Sequence, residues 1–328
     1  MQFRKLFMFI FTLLVIACNV SESQDCANPP KIIIVGQSNF ETIQSAINSV
    51  PEENSQWIQV KISPGVYKEQ VVIPMKKPCI YLEGAGTQFT TIEWDDHPDA
   101  TFFSQANYTV ASGITFTNTF NNPIFGEMGI TQAIAARIYA DKCAFYNCSF
   151  LGVQDTLYDQ YGRHYYYNCY IQGGIDFIFG NGQSIFEASE IYFSMGKDGP
   201  MQVVGAITAQ ERESPDDTSG FVFKNCNITG IGGKTLLGRS LRAYARVIIA
   251  NSFLSDVVTP EGWNARNFVG HEETITFVEE GNSGPGADKS KRVQWMKHLS
   301  GPALDEFLNI SYIDKEGWIE NLPSNIFI

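Results

Sequence analysis

The sequence predicts an all-β chain, a single-stranded right-handed parallel β-helix wound coil on coil with one N-terminal capping helix. Three observations predict it. Tyr146-Asn147-Cys148-Ser149-Phe150-Leu151-Gly152 returns 21 residues later as Tyr167-Asn168-Cys169-Tyr170-Ile171-Gln172-Gly173, and more loosely as Lys224-Asn225-Cys226-Asn227-Ile228-Thr229-Gly230. Between residue 32 and about residue 277 the chain is a succession of short β-rich runs punctuated by Gly and Asn, such as 57–62, 113–117 and 246–250. Helical periodicity is clear only over residues 40–50, where Phe40, Ile43, Ala46, Ile47 and Val50 share a face. A helix there would cover the open end of a stacked core. A β-sandwich is the structural alternative, but it leaves a motif repeated at one fixed period unexplained.

The other elements follow in order. A length of 328 residues would ordinarily suggest two domains, but solenoids grow in one dimension and no linker or composition break is visible. The tail from residue 287, with Trp295, Leu299, Leu304, Phe307, Leu308 and Ile310, reads as loops plus a short helix packed along the outside. At the other end, Arg4 and Lys5 precede an apolar run over residues 6–17 that is short for a membrane span. The expectation is a signal peptide over 1–23, a β-helix domain over 24–328, and a secreted, extracellular protein with no membrane segment after cleavage. Export fits the sequons at Asn107, Asn147, Asn227 and Asn309, and the six cysteines left once Cys18 departs suggest one to three disulfides of undetermined pairing. Cys148 and Cys169, equivalent on adjacent coils, equally read as small core residues.

The repeat length has a chemical consequence. Asp155 and Asp176 are also 21 residues apart, so in a solenoid they stack across one strand spacing of ~4.8 Å. Two carboxyls that close do not both ionise cheaply, which yields one acid and one nucleophile or base. The same aspartates also suit plain turn roles, satisfying backbone N–H groups. Gln132 and Gln154, about one coil apart, suit either an amide ladder or a pair of donors to an oxyanion. Other chemistries find little support. There is no Gly-x-Ser-x-Gly elbow, His97, His164, His271 and His298 are scattered without metal-ligand spacing, and Gly84-Ala85-Gly86 is an isolated tight turn. A net charge of −12 argues against nucleic acid as a partner.

Five ordered motifs carry a resemblance that covers nearly all of the chain beyond residue 24: Gly65-Val66-Tyr67-Lys68-Glu69, Gln132-Ala133-Ile134-Ala135-Ala136-Arg137, Gly152-Val153-Gln154-Asp155-Thr156-Leu157-Tyr158, Asp176-Phe177-Ile178-Phe179-Gly180 and Leu237-Gly238-Arg239. The chain resembles the plant pectinesterases (pectin methylesterases), in the short form without an N-terminal inhibitor-like domain. The resemblance implies a pectin lyase-like β-helix that demethylesterifies cell-wall homogalacturonan with no metal or cofactor. It implies Asp176 as nucleophile, Arg239 as the cation holding it ionised, Asp155 as acid and then base, and Gln132 and Gln154 as oxyanion donors. Arg239 has a plainer reading as the neutraliser of a surface carboxylate. Trp263, Tyr158 and Phe177 are carried as substrate contacts, although Phe177 and Phe179 also read as core residues. By resemblance alone, an extracellular inhibitor protein is a partner. No oligomerisation signal is present, so a monomer is expected.

The match departs from the family at Ser240 and Leu241, where Pro or Ala and then Trp usually follow the Arg, and at Val153, usually aromatic. Those changes remove sugar platforms and predict weaker polymer binding or a different methylation preference. The acidic balance predicts a preference for highly esterified, less anionic pectin. The competing function is a weakly active or inactive β-helix that binds pectin without turnover. A third, a backbone-cleaving lyase or glycosidase, is disfavoured because an inverting hydrolase needs its carboxyls ~6.5–9.5 Å apart.

Overall fold

The computed structural model describes residues 26–36, 40–121, 129–196 and 203–323. The expected signal peptide and Cys18 lie outside them. Among the described residues the chain runs repeatedly through three parallel sheets. Sheet 1 has ten strands, from Ala27–Val35 to Thr276–Glu280. Sheets 2 and 3 have eight each, ending at Phe253–Leu254 and Trp263–Asn264. The first two strands of sheet 1, Ala27–Val35 and Gln56–Ile62, pair with each other; from Gln56–Ile62 onward consecutive strands enter different sheets and each pairs with the strand three places on, so the fold is a parallel β-helix. One coil is Cys143–Tyr146, Ser149–Leu151 and Leu157–Tyr161; the next is Arg163–Tyr167, Tyr170–Gly173 and Ile175–Gly180. Tyr146 pairs with Tyr167 and Ser149 with Tyr170, so the 21-residue repeat is one coil.

The recurrent Asn has a backbone cause. The chain leaves sheet 1 for sheet 2 through one residue in the left-handed region: Gly113, Asn147, Asn168, Asn225, Asn251 and Gly281 have φ between 50° and 66°. Gly adopts this without a Cβ penalty and Asn tolerates it best of the others. Asn168 donates to the Asn147 side chain at 2.6 Å, one coil apart. The run expected from residue 113 therefore starts later, as Thr115–Asn118, because Gly113 is the turn.

Repetition also builds the core. Phe145, Tyr166, Phe186 and Phe223 stack through the coil interior with centroid spacings of 5.0, 4.6 and 4.5 Å, each pair worth about 0.5–1.5 kcal/mol beyond its burial. Cys148, Cys169 and Cys226 are free thiols in the same core. The one disulfide among the described residues joins Cys26 to Cys79. Helix α1 (Ile43–Ser49) caps the stack with Ile43, Ala46 and Ile47 buried. Thr42 caps its start, and the Glu69 carboxylate accepts from the N–H groups of Ile43 and Gln44 at 2.8 and 3.0 Å, which satisfies donors that the helix itself cannot.

A second apolar layer lies on the outer face of sheet 1. Tyr81, Val110, Tyr165, Ile185, Val222 and Ile248 face outward there and are covered by the tail, with Leu304, Phe307 and Leu308 of helix α2 (Pro302–Leu308), Tyr312 and Trp318. Trp295 differs from this plan. It packs at the end of the inner core with its ring 5.8 Å from Phe277, closing the last coil.

One polar cluster is wholly buried in the core. His164 Nε2 lies 2.7 Å from the Ala140 carbonyl, which only accepts, so this nitrogen carries a proton. Nδ1 faces Asp159, whose carboxylate also accepts from Ser184 and, at 3.2 Å, Tyr166. Burial alone would lower the His164 pKa, but Asp159 and the Ala140 carbonyl outweigh it and the pKa is raised. A raised folded pKa gives stability that is complete below the ordinary histidine value and is lost as pH rises through the folded pKa. His164→Gln should therefore destabilise by about 3–5 kcal/mol at pH 5, measured by denaturant unfolding, with a smaller difference at pH 9. A difference larger at pH 9 than at pH 5 would mean that His164 is buried neutral.

Candidate active site

Sheet 3 positions the candidate residues through its alternation. Register aligns Phe102, Ala136, Leu157, Ile178, Gly238 and Trp263 in one row facing the core. The neighbouring row faces outward: Phe103, Arg137, Tyr158, Phe179 and, two coils on, Arg239. Tyr158 stacks on Phe179 at 4.2 Å, and the Arg137 guanidinium lies over Phe103 at 4.6 Å and Tyr158 at 5.3 Å. The result is a flat strip of π surface along the helix axis.

Simple alternation would bury the two aspartates, because Asp155 is two residues from Leu157 and Asp176 two from Ile178. Instead both are left-handed, with φ of 62° and 47°, and the pairing register shifts between Ile175 and Ile178. This irregularity swaps faces. Asp176 turns outward to the Arg239 row, while Phe177 turns inward beside Gly173, where a Cβ would sit 2.2 Å from the Phe177 Cβ. Two non-glycine residues held left-handed at equivalent points of adjacent coils store strain of about 1–3 kcal/mol each.

The site is a coupled ion cluster. Arg239 Nε and Nη2 each donate to one oxygen of Asp176 at 2.5 Å, a bidentate fork. Asp155 sits one coil away, with its backbone N–H donating to Ile175 O at 3.0 Å. Burial, and then the Asp176 charge, push the Asp155 pKa up to about 7, against a hydrogen bond from Gln132 and the Arg239 charge. Glu211 adds to the rise, and its own pKa is raised chiefly by burial. The arrangement provides a carboxylate oriented by a fixed cation and a neighbouring carboxyl that keeps its proton near neutrality.

Gln132 pairs with Gln154 in a bridge, and Gln154 with Ile175, so both glutamines stack beside the dyad. Gln132 donates to Asp155, and the Gln154 amide makes no hydrogen bond to another described residue. Tyr158 is half-buried on the outer strip. Two anticipated substrate contacts are corrected. Trp263 is 1 % exposed: it pairs with Gly238 in the inward row, stacks on Phe277 and donates its indole N–H to Glu279 at 2.8 Å. Phe177 is fully buried by the face swap. Val153 is also buried, so it offers no platform. Arg137 and Glu211 received no role from the sequence. Arg137 was detectable as the outward neighbour of Ile138, whereas nothing in sequence marks Glu211. Among the described residues no group of three or more His, Cys, Asp or Glu side chains is placed to hold a metal ion.

A family model for pectinesterases matches residues 32–316. The chain belongs to the pectinesterase family. "Probable pectinesterase 29" of Arabidopsis thaliana is 48% identical over 295 residues, 88% of each chain, and "Probable pectinesterase 55" of the same plant is 45% identical over 309 residues, 92% of this chain and 93% of that one. Among solved structures, the pectin methylesterase from carrot superposes with a TM-score of 0.81 at 28% identity, covering 90% of this chain and 97% of its own. That from Aspergillus niger gives 0.76 at 30%, covering 92% and 99%. This pectinesterase thus has the family's parallel β-helix, and no helix among its described residues is long and apolar enough to cross a membrane.

Arg239 allows a test of geometry against charge. Arg239→Lys keeps a cation but not the fork. Losing a charge-assisted pair worth about 1.5–3 kcal/mol should lower kcat by roughly 10- to 100-fold with KM little changed. A lysine variant with native kcat would mean that only charge matters.

Proposed function

We propose that this pectinesterase hydrolyses the methyl esters of homogalacturonan through a covalent intermediate on Asp176. The observation that carries the reading is the pair of stacked aspartates in different surroundings: Asp176 gripped by the Arg239 fork and Asp155 kept protonated up to about pH 7. The Asp176 carboxylate attacks the C6 ester carbonyl, and the oxyanion accepts from the Gln132 and Gln154 amides. The C–OCH3 bond breaks as Asp155 gives its proton to the departing methoxide, releasing methanol. Water then adds to the acyl carbon while the Asp155 carboxylate takes its proton. Collapse returns Asp176 as a carboxylate and leaves the substrate as a free acid. Tyr158, with Phe179 and Arg137 behind it, provides the face on which a sugar ring rests.

Export to the cell wall follows from the leading apolar segment together with the plant relatives. The protein acts there as a monomer on methylesterified chains, and a proteinaceous pectinesterase inhibitor is a partner. The test is methanol release from highly methylated pectin by the purified 24–328 protein. Release supports the reading. No release from folded protein that still binds pectin would favour the binding-protein alternative, which the burial of Trp263, Phe177 and Val153 motivates.

A further inference from the structure

Sheet 3 carries a second feature at the opposite end of its strands. Where they turn into sheet 1, a cavity of about 1010 Å³ opens beside Tyr139, Tyr161, Asp141, Arg163, Gln183 and Thr218. Tyr161 closes the strand Leu157–Tyr161, which begins two residues after Asp155, so about 13 Å of extended chain separates the strand's start beside the aspartate pair from this groove.

Its lining has the chemistry of a sugar site. Tyr139 and Tyr161 are in register on adjacent coils, 39 % and 60 % exposed, with ring centroids 5.7 Å apart. Neither phenol makes a hydrogen bond to another described residue. Singly exposed apolar residues are ordinary, but these two rings lie side by side with the exposed Met75 lining the same groove, and a contiguous patch of this kind marks a binding surface. Beside them the polar floor is held in place: Thr218 Oγ1 donates to Gln183 at 2.8 Å, and Asn181 to Asp217 at 2.9 Å.

Charge narrows the ligand. Four carboxylates line the groove (Glu53, Asp141, Asp217 and Glu316) against two cations, Lys142 and Arg163. Both cations are already engaged. Arg163 pairs with Asp141 at 2.6 Å and Glu316 at 2.7 Å, and Lys142 with Glu316 at 3.4 Å. Among the described residues no lining cation is left to meet a uronate, so an anionic chain is repelled and an uncharged one is not.

We propose that this groove is a second, non-catalytic binding site for a methyl-esterified, and so uncharged, galacturonan chain. This rests on the pectin reading above. The site tethers the enzyme to esterified polymer and releases it as de-esterification makes the polymer anionic.

The experiment uses the 24–328 protein carrying Asp176→Ala, so that ligand is not consumed, in depletion assays with highly methylated pectin and with polygalacturonate. Tyr139→Ala/Tyr161→Ala on that background should weaken binding to methylated pectin about five- to tenfold, with unchanged thermal unfolding, since both side chains are exposed. Tyr139→Phe/Tyr161→Phe should retain it. In the active protein, the alanine pair should raise KM for polymer and leave kcat/KM for a methylated hexamer native, because a hexamer that fills the cleft leaves the groove empty. Native-like binding by the alanine pair overturns the proposal. So does an equal loss on polymer and hexamer, or stronger binding to polygalacturonate. Asn107, a sequon residue lining the same groove, supplies the last arm. If methylated pectin binds only after Asn107→Gln, the chain's own glycan occupies the site and the proposal fails. Methanol release is scored separately, so an inactive enzyme with a working groove is distinguished from an active one without it.

Discussion

Asp176→Ala should abolish methanol release from highly methylated pectin, with a fall of at least about 10⁴-fold in kcat, as expected when the nucleophile of a covalent mechanism is removed. The left-handed backbone at Asp176 and the register shift after Ile175 place this carboxylate, and not Phe177, on the face that carries Arg239. No neighbouring group can take over. Asp155 is protonated up to about pH 7 and lacks the fork, and Glu211 acts on Asp155 through its charge without sharing the Arg239 fork. The variant should stay folded, since removing Asp176 leaves Arg239 half-buried and close to water. Residual activity above about 1% of native would mean that Asp176 only orients water.

Asp155→Asn is the second large effect, and it acts through pH. In the proposed mechanism Asp155 must hold its proton for attack by Asp176, so native kcat/KM should fall as pH rises through about 7, the value to which burial and then the Asp176 charge push this carboxyl. The amide should lower kcat by about 10²–10⁴-fold and remove that alkaline limb. Stability should move the other way. The folded pKa lies above the ordinary 3.8, so between about pH 4 and pH 7 the unfolded chain has released its proton while the folded one still holds it. Native stability falls across that window and stays reduced above it. The amide cannot ionise, so the variant should be more stable than native at pH 8, by an amount on the order of a few kcal/mol, and equal at pH 4. Urea unfolding at both values measures this. Equal stability at both would show that Asp155 is not strained by its neighbours.

Much of the fold was legible because a solenoid writes its geometry as a period. The Tyr-Asn-Cys repeat located the coils. The Asn and Gly punctuation marked the left-handed turns out of sheet 1, and residues 43, 46 and 47 marked the buried face of α1. The period by itself also stacks Asp155 near Asp176 and Gln132 near Gln154. Trp263 and Phe177 were misplaced for one reason. Which face a strand residue presents depends on parity within its strand, and a single left-handed residue inverts that parity. Trp263 shares the inward row with Gly238, and Phe177 is turned in by the same irregularity that turns Asp176 out.

The sequence by itself determined the parallel coils, the capping helix, the apolar tail and the family, because each is carried by local pattern or by an ordered set of motifs. Only the tertiary structure decided which face each side chain takes, the Arg239–Asp176 fork across 63 residues of chain, the influence of Glu211 on Asp155 and the groove beside Tyr139 and Tyr161. The reason is physical. A period fixes which residues are neighbours along the helix axis, whereas side-chain direction, burial and electrostatic coupling arise only when separate coils close around one another and exclude water.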